Sequence, residues 1–174
     1  ITEGQKLLDL CTGSGCIPIA IQEQKKQSLS IVACDIEENA LSYAKENVDQ
    51  NKTQNIELIQ CDLFAEIAND RKFDLITSNP PYVSESERPE MGKDVLKHEP
   101  PSALFADHDG MAIIERIAQE APQYMEPEAY ILIEIGASQG PRCRELFEAS
   151  GYRNVEIVKD YSSRDRILKA QRPV

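Results

Sequence analysis

Lys6-Leu7-Leu8-Asp9-Leu10-Cys11-Thr12-Gly13-Ser14-Gly15 decides the fold. Lys6 to Cys11 reads as a short buried strand, and the glycines then turn the chain into the apolar pattern Ile17, Ile19, Ala20, Ile21 of a helix. Strand, glycine turn and helix in that order open a doubly wound α/β domain. The glycines permit a tight turn and a close approach of backbone to ligand, while the helix start offers unsatisfied N–H groups. Gly13 and Gly15 are the first two glycines of a dinucleotide fingerprint, but Pro18 occupies the third position, so close pyrophosphate contact is not implied.

The following segments repeat the pattern. A second strand over residues 30–35 ends on Asp35, where a carboxylate either accepts from the two hydroxyls of a ribose or caps the helix that starts near Glu37, two compatible roles. That helix, to about Gln50, is expected to bury Ala40, Tyr43, Ala44 and Val48. A third strand over 56–61 runs into Asp62-Leu63-Phe64. Either Asp62 takes the exocyclic amine of an adenine while Leu63 or Phe64 covers a face, or Asp62 caps a short helical segment and Phe64 is core.

The fourth strand, 73–78, delivers Asn79-Pro80-Pro81-Tyr82. Each proline fixes its own φ and pushes the preceding residue into extended backbone, so the strand exit is a stiff ledge. It carries an amide, a backbone carbonyl free of competing proline N–H groups, and an aromatic face. Such a ledge suits a planar group bearing an NH2, or else it is a plain strand exit with a packed tyrosine.

Residues 83–109 show no period and contain Pro89, Pro100 and Pro101. Starting at the ledge, they read either as a substrate-covering loop, with Glu99 and Pro100 as returning contacts, or as a solvated connection; the run Glu85 to Glu90 reads as solvated. A helix over 110–124 and an apolar strand over 129–135 follow. Glu134 interrupts that strand, so it either leaves the core at the strand end or holds a partner. A helix ending at Gly151 and strands near 154–158 and 166–169 close the chain as a hairpin, giving seven strands with one antiparallel.

Composition narrows the function. The 174 residues fit one domain, without an apolar run near the roughly 20 residues that span a bilayer. No signal-like leader precedes Leu7, and five cysteines without a Cys-x-x-Cys pair read as free buried thiols in a reducing cytoplasm. No metal site is expected, since His98 and His108 lie far from the cysteines. The net charge of -11 disfavours direct contact with nucleic acid. A monomer is marginally favoured, although nothing here sets the oligomeric state.

An acid for ribose without a complete pyrophosphate fingerprint points to a nucleoside cofactor lacking phosphates. S-adenosylmethionine fits, leaving S-adenosylhomocysteine, with an NH2 acceptor on the ledge. Displacement at the methyl carbon asks mainly for positioning and needs no protein nucleophile.

The chain resembles the HemK/PrmC family through Asp9 to Gly15, Asp35, Cys61-Asp62-Leu63-Phe64, Ser78 to Val83, His98-Glu99-Pro100 with Ala103-Leu104, and Glu134-Ile135-Gly136. These are class I, Rossmann-like S-adenosylmethionine methyltransferases that modify the glutamine amide nitrogen in the Gly-Gly-Gln loop of peptide chain release factors. The resemblance implies that Cys11, Thr12, Gly13, Ser14, Gly15, Asp35 and Leu63 contact cofactor and that Asn79, Pro80, Pro81 and Tyr82 hold the glutamine. Leu63 stands where some members have tryptophan, and His98 where an aromatic is common. The family's amino-terminal helical domain is absent from these residues, so 1–174 is expected to be a catalytic domain that binds cofactor and recognises release factor poorly. A methyltransferase acting on adenine or guanine amino groups would share the ledge but should carry a basic surface. A non-catalytic nucleoside-binding domain would need the ledge to be structural only.

Overall fold

The structure is a computed structural model and describes residues 4–25, 29–92, 97 and 100–173. Seven strands form one sheet in the order β3-β2-β1-β4-β5-β7-β6. β1 (Lys6–Leu10), β2 (Ser30–Asp35) and β4 (Phe73–Ser78) occupy its middle, and β3 (Ile56–Gln60) and β6 (Arg153–Lys159) its edges. Central parallel strands are covered on both faces, so they read as unbroken apolar runs. Leu7, Leu8 and Leu10 of β1 and Ile31 to Cys34 of β2 are all buried, whereas β3 has no buried residue. β5 (Met125–Glu134) pairs parallel to β4, and β7 (Asp165–Gln171) runs antiparallel between β5 and β6.

Among the described residues, the helices of nine or more residues are α1 (Cys16–Lys25), α2 (Glu38–Asn51), α3 (Ala112–Glu120) and α4 (Gly140–Ala149). Pro18 falls in the first turn of α1, where its missing N–H has no helical partner to lose. Gly15 has φ +76°, and a Cβ there would lie 3.3 Å from Ala44 Cβ, so its bareness sets how closely α1 approaches α2. α3 buries Ile114, Ile117 and Ala118.

Several local expectations are corrected. Tyr43 of α2 is 63% exposed, because the inward stripe of that helix runs through Leu41, Ala44 and Val48, one position away. Residues after Asp62 form turns, not a helix. The helix expected over 110–124 is α3 followed by a 3-10 turn at Ala121–Tyr124, where Pro122 removes the N–H that α-helix continuation would use. β5 begins earlier than expected, with Glu128 at φ 65° marking a break in register. The thiols are free, as expected, but Cys16 is exposed.

The run Glu85 to Glu90 is also ordered: it forms a 3-10 helix closed by a capping box between Ser84 and Glu87. Ser-x-x-Glu was the sequence signal for it. Val83 bridges to Phe105, and Arg88 lies 4.0 Å over the Phe105 ring. The two ends of the described part of this segment therefore lie against each other. Glu99 and His98 lie outside the described residues.

Candidate active site

Parallel pairing brings the suspected contacts to one edge of the sheet. Leu10 is level with Cys34 on one side and Ser78 on the other, Asp35 with Gln60, and Ser78 with Ile133. The segments beginning at Cys11, Asp35, Cys61, Asn79 and Glu134 therefore leave the sheet side by side at the carboxyl ends, where open α/β sheets bind ligands.

On the β1–β3 side the backbone is shaped and held. Cys11 and Gly13 have φ 54° and 55°, and Leu63 φ 54°. For non-glycine residues this left-handed region costs about 1–2 kcal/mol, a strain typical of ligand sites. Thr12 N–H donates to Cys34 O at 2.9 Å, and Gly13 N–H donates to Asp35 Oδ2 at 2.8 Å. Asp35 Oδ1 also accepts from Glu37 N–H at 3.0 Å, but Glu37 is itself the N-cap of α2 and no side chain caps that helix, so Asp35 does not fill the capping role; each of its oxygens keeps a lone pair for a ligand hydroxyl. Asn47 Nδ2 holds Ser14 O at 2.9 Å. Among the described residues nothing lies within 4 Å of a Cβ built on Gly13.

Asp9 was overlooked as a site residue, although an acid inside a buried strand was a signal in itself. It is wholly buried, and Thr77 Oγ1 donates to its Oδ1 at 2.6 Å. Among the described residues its Oδ2 has no hydrogen-bond partner, nor has Thr12 Oγ1. Burial raises its carboxyl to about 6, against the opposing hydrogen bond from Thr77. At neutral pH the floor of the loop thus holds an undercompensated negative charge, which favours a cationic ligand.

Cys11 carries no such charge: burial, and then the field of Asp35, push its thiol up to about 12, so it stays protonated. Cys34 and Cys61 both donate their thiols to Leu63 O, at 3.3 and 3.1 Å. Leu63 is itself 4% exposed. Phe64 is core, stacked on Tyr124 at 4.8 Å. Asp62 is paired with Arg116 of α3 at 2.9 Å. The apolar side chain exposed beside Asp35 is Ile36.

The β4 side is held by side chains. Asn79 is exposed, Pro80 buried and Tyr82 half-buried. Tyr82 OH donates to Glu134 Oε1 at 3.0 Å and accepts from Arg166 Nη1 at 3.3 Å. Glu134 thus both ends its strand and holds a partner. Gln139 Nε2 donates to Tyr82 O at 3.0 Å, while its Oε1 accepts from Gly136 N–H at 2.8 Å. Among the described residues no backbone N–H donates to the carbonyls of Asn79, Pro80 or Pro81. The ledge thus carries three carbonyls without a described backbone donor, next to a tyrosine held at its hydroxyl.

The family model described as Methyltransferase small domain matches residues 2–127. A release factor glutamine methyltransferase of Fusobacterium nucleatum is 35% identical over 172 residues, 99% of this chain and 48% of that protein. A bifunctional methyltransferase of Rickettsia typhi is 39% identical over 164 residues, 94% of this chain and 31% of that protein. The chain thus spans about half or less of these relatives' length. The T. thermophilus 16S rRNA N2 G1207 methyltransferase, solved with AdoMet and guanosine, superposes with a TM-score of 0.71 at 15% identity, covering 98% of this chain and 38% of that one. That likeness is one of fold, and it agrees with the class I methyltransferase architecture expected from the sequence. With more than half of its length matched by the family model, and with the strand-end loops arranged as above, the chain belongs to the methyltransferase small domain family.

Proposed function

We propose that the chain transfers a methyl group from S-adenosylmethionine to the side-chain amide nitrogen of glutamine in the Gly-Gly-Gln loop of a peptide chain release factor. The observation that carries the reading is the exposed Asn79 amide at the tip of buried β4, followed by carbonyls that no described backbone N–H occupies, at the same sheet edge as the left-handed turn at Cys11 and Gly13. The similarity to release factor glutamine methyltransferases supports the choice of acceptor.

When bound, S-adenosylmethionine supplies an electrophilic methyl on a sulfonium. The residues fit this group: Asp35 has lone pairs for ribose hydroxyls, the Cys11–Gly15 turn presents bare backbone, and Asp9 sets a negative field for a cation. Ile36 is the apolar cover for a purine face, with Leu63 and Asp62 shaping the pocket floor from the end of β3. Asn79 Oδ1 and a neighbouring ledge carbonyl accept the two hydrogens of the glutamine NH2, and Tyr82 presents its ring to the amide plane. Fixing both hydrogens orients the nitrogen lone pair, and the acceptors stabilise the positive charge that grows there. Glu99 belongs to the proposed substrate contacts.

Incubation with methyl-labelled S-adenosylmethionine and release factor, RNA or DNA tests the reading. Label is expected on the release factor and is lost when its glutamine is replaced by alanine. Label on nucleic acid and none on release factor overturns it.

A further inference from the structure

Tyr82 is gripped at both ends, and only one of those ends is needed to hold the backbone. Gln139 ties down its carbonyl, and a Cβ on Gly110 would come within 2.1 Å of the same oxygen, so the main chain there is already confined. The phenol is held separately. It donates to Glu134 and accepts from Arg166, whose guanidinium also donates to Ile135 O at 3.4 Å and lies 3.7 Å from Asp160 Oδ2. These partners come from 52 and 84 residues downstream, on the antiparallel side of the sheet. A carboxylate at the tip of an apolar strand costs desolvation that a leucine would not. Packing of its half-buried ring against the core cluster restricts the side chain, and the donated and accepted hydrogen bonds at its tip fix one orientation.

We propose that Glu134, backed by Arg166, is a positioning residue that fixes the direction of the Tyr82 ring and so aligns the acceptor amide on the ledge. This rests on the reading of the ledge as an acceptor site. β5 and β7 then do more than extend the sheet: they set acceptor geometry from the side opposite the cofactor. Burial and the Glu134 carboxylate also raise the Tyr82 phenol above the ordinary tyrosine range, so the phenol stays a hydrogen-bond donor through neutral pH.

The test is a double-mutant cycle on the chain, with Glu134→Ala and Tyr82→Phe, reading kcat, KM for release factor, S-adenosylhomocysteine affinity and Tm. Glu134→Ala should lower kcat about tenfold with cofactor affinity unchanged, and should add less than about twofold in the Tyr82→Phe background. Glu134→Gln, whose Oε1 still accepts from the phenol, should recover most of the loss. Equal losses in both backgrounds, or a fall in Tm with kcat intact, overturn the proposal. A second readout needs no acceptor: the 13Cζ resonance of Tyr82, assigned by its disappearance in Tyr82→Phe, should titrate at lower pH in Glu134→Gln. An unmoved titration overturns the proposal. Failure of the wild-type chain to methylate release factor would instead defeat the functional reading, and the resonance would still decide this one.

Discussion

At the tips of β1 and β2 the turn is shaped by its own backbone, with left-handed residues and a short glycine turn, and is pinned from the neighbouring strand end and helix by Asp35 on Gly13 N–H at 2.8 Å and Asn47 on Ser14 O at 2.9 Å. At the tip of β4 the main chain is merely stiff, and side chains from distant segments, Gln139, Glu134 and Arg166, fix where it points. A proposed cofactor common to many reactions suits a backbone turn pinned within one half of the sheet. An acceptor with its own geometry suits a ledge adjusted from outside. The two regions should therefore fail separately when perturbed.

The largest expected effect is on the ledge. Gly110 has φ +79°, and a methyl group there would collide with the backbone carbonyl of Tyr82. Gly110→Ala should cost about 3 kcal/mol of stability from strain and overlap together, read by denaturant unfolding. Transfer should be impaired, while the folded fraction binds S-adenosylhomocysteine nearly as wild type. Equal loss of both would erase the distinction between the regions.

Asp35→Ala is the reciprocal change. It removes an ionised acceptor from Gly13 N–H and from the proposed ribose site, worth about 1.5–3 kcal/mol, or roughly 10–100-fold in cofactor affinity by calorimetry. At saturating cofactor kcat should stay within a few-fold. A large fall in kcat at saturation would mean that the two regions are coupled.

A further effect is on stability against pH. Asp9 titrates near 6 in the folded chain against 3.8 as a free side chain. Between those values the folded state binds a proton that the unfolded state has released, so this group's contribution falls as pH rises from about 4 to 6, by up to about 3 kcal/mol. Asp9→Asn lacks that titration. Relative to wild type it should gain about 2–3 kcal/mol of stability from pH 4 to pH 7 in denaturant unfolding, while weakening cofactor binding. A constant difference across the range would show that Asp9 is not strained by its charge.

Much of the architecture was legible because it rests on short-range rules. Buried central strands read as apolar runs, the glycine turn stands out, and Asn-Pro-Pro stiffens whatever follows it. Glu134 was visible as an anomaly in an apolar strand, but its partner was not, since Tyr82 is 52 residues away and only pairing of β5 beside β4 brings them together. Asp9 escaped notice because the glycines beside it drew the reading. Tyr43 was misplaced because a one-residue shift in helical phase turns a side chain from core to solvent.

The ledge itself is tested most directly by Asn79→Ala, with labelled-methyl transfer to release factor and S-adenosylhomocysteine affinity measured on the same preparation. Loss of one preorganised acceptor should lower kcat by about 10²–10³-fold, with cofactor affinity within a few-fold of wild type. Near-normal turnover in that variant would contradict the account.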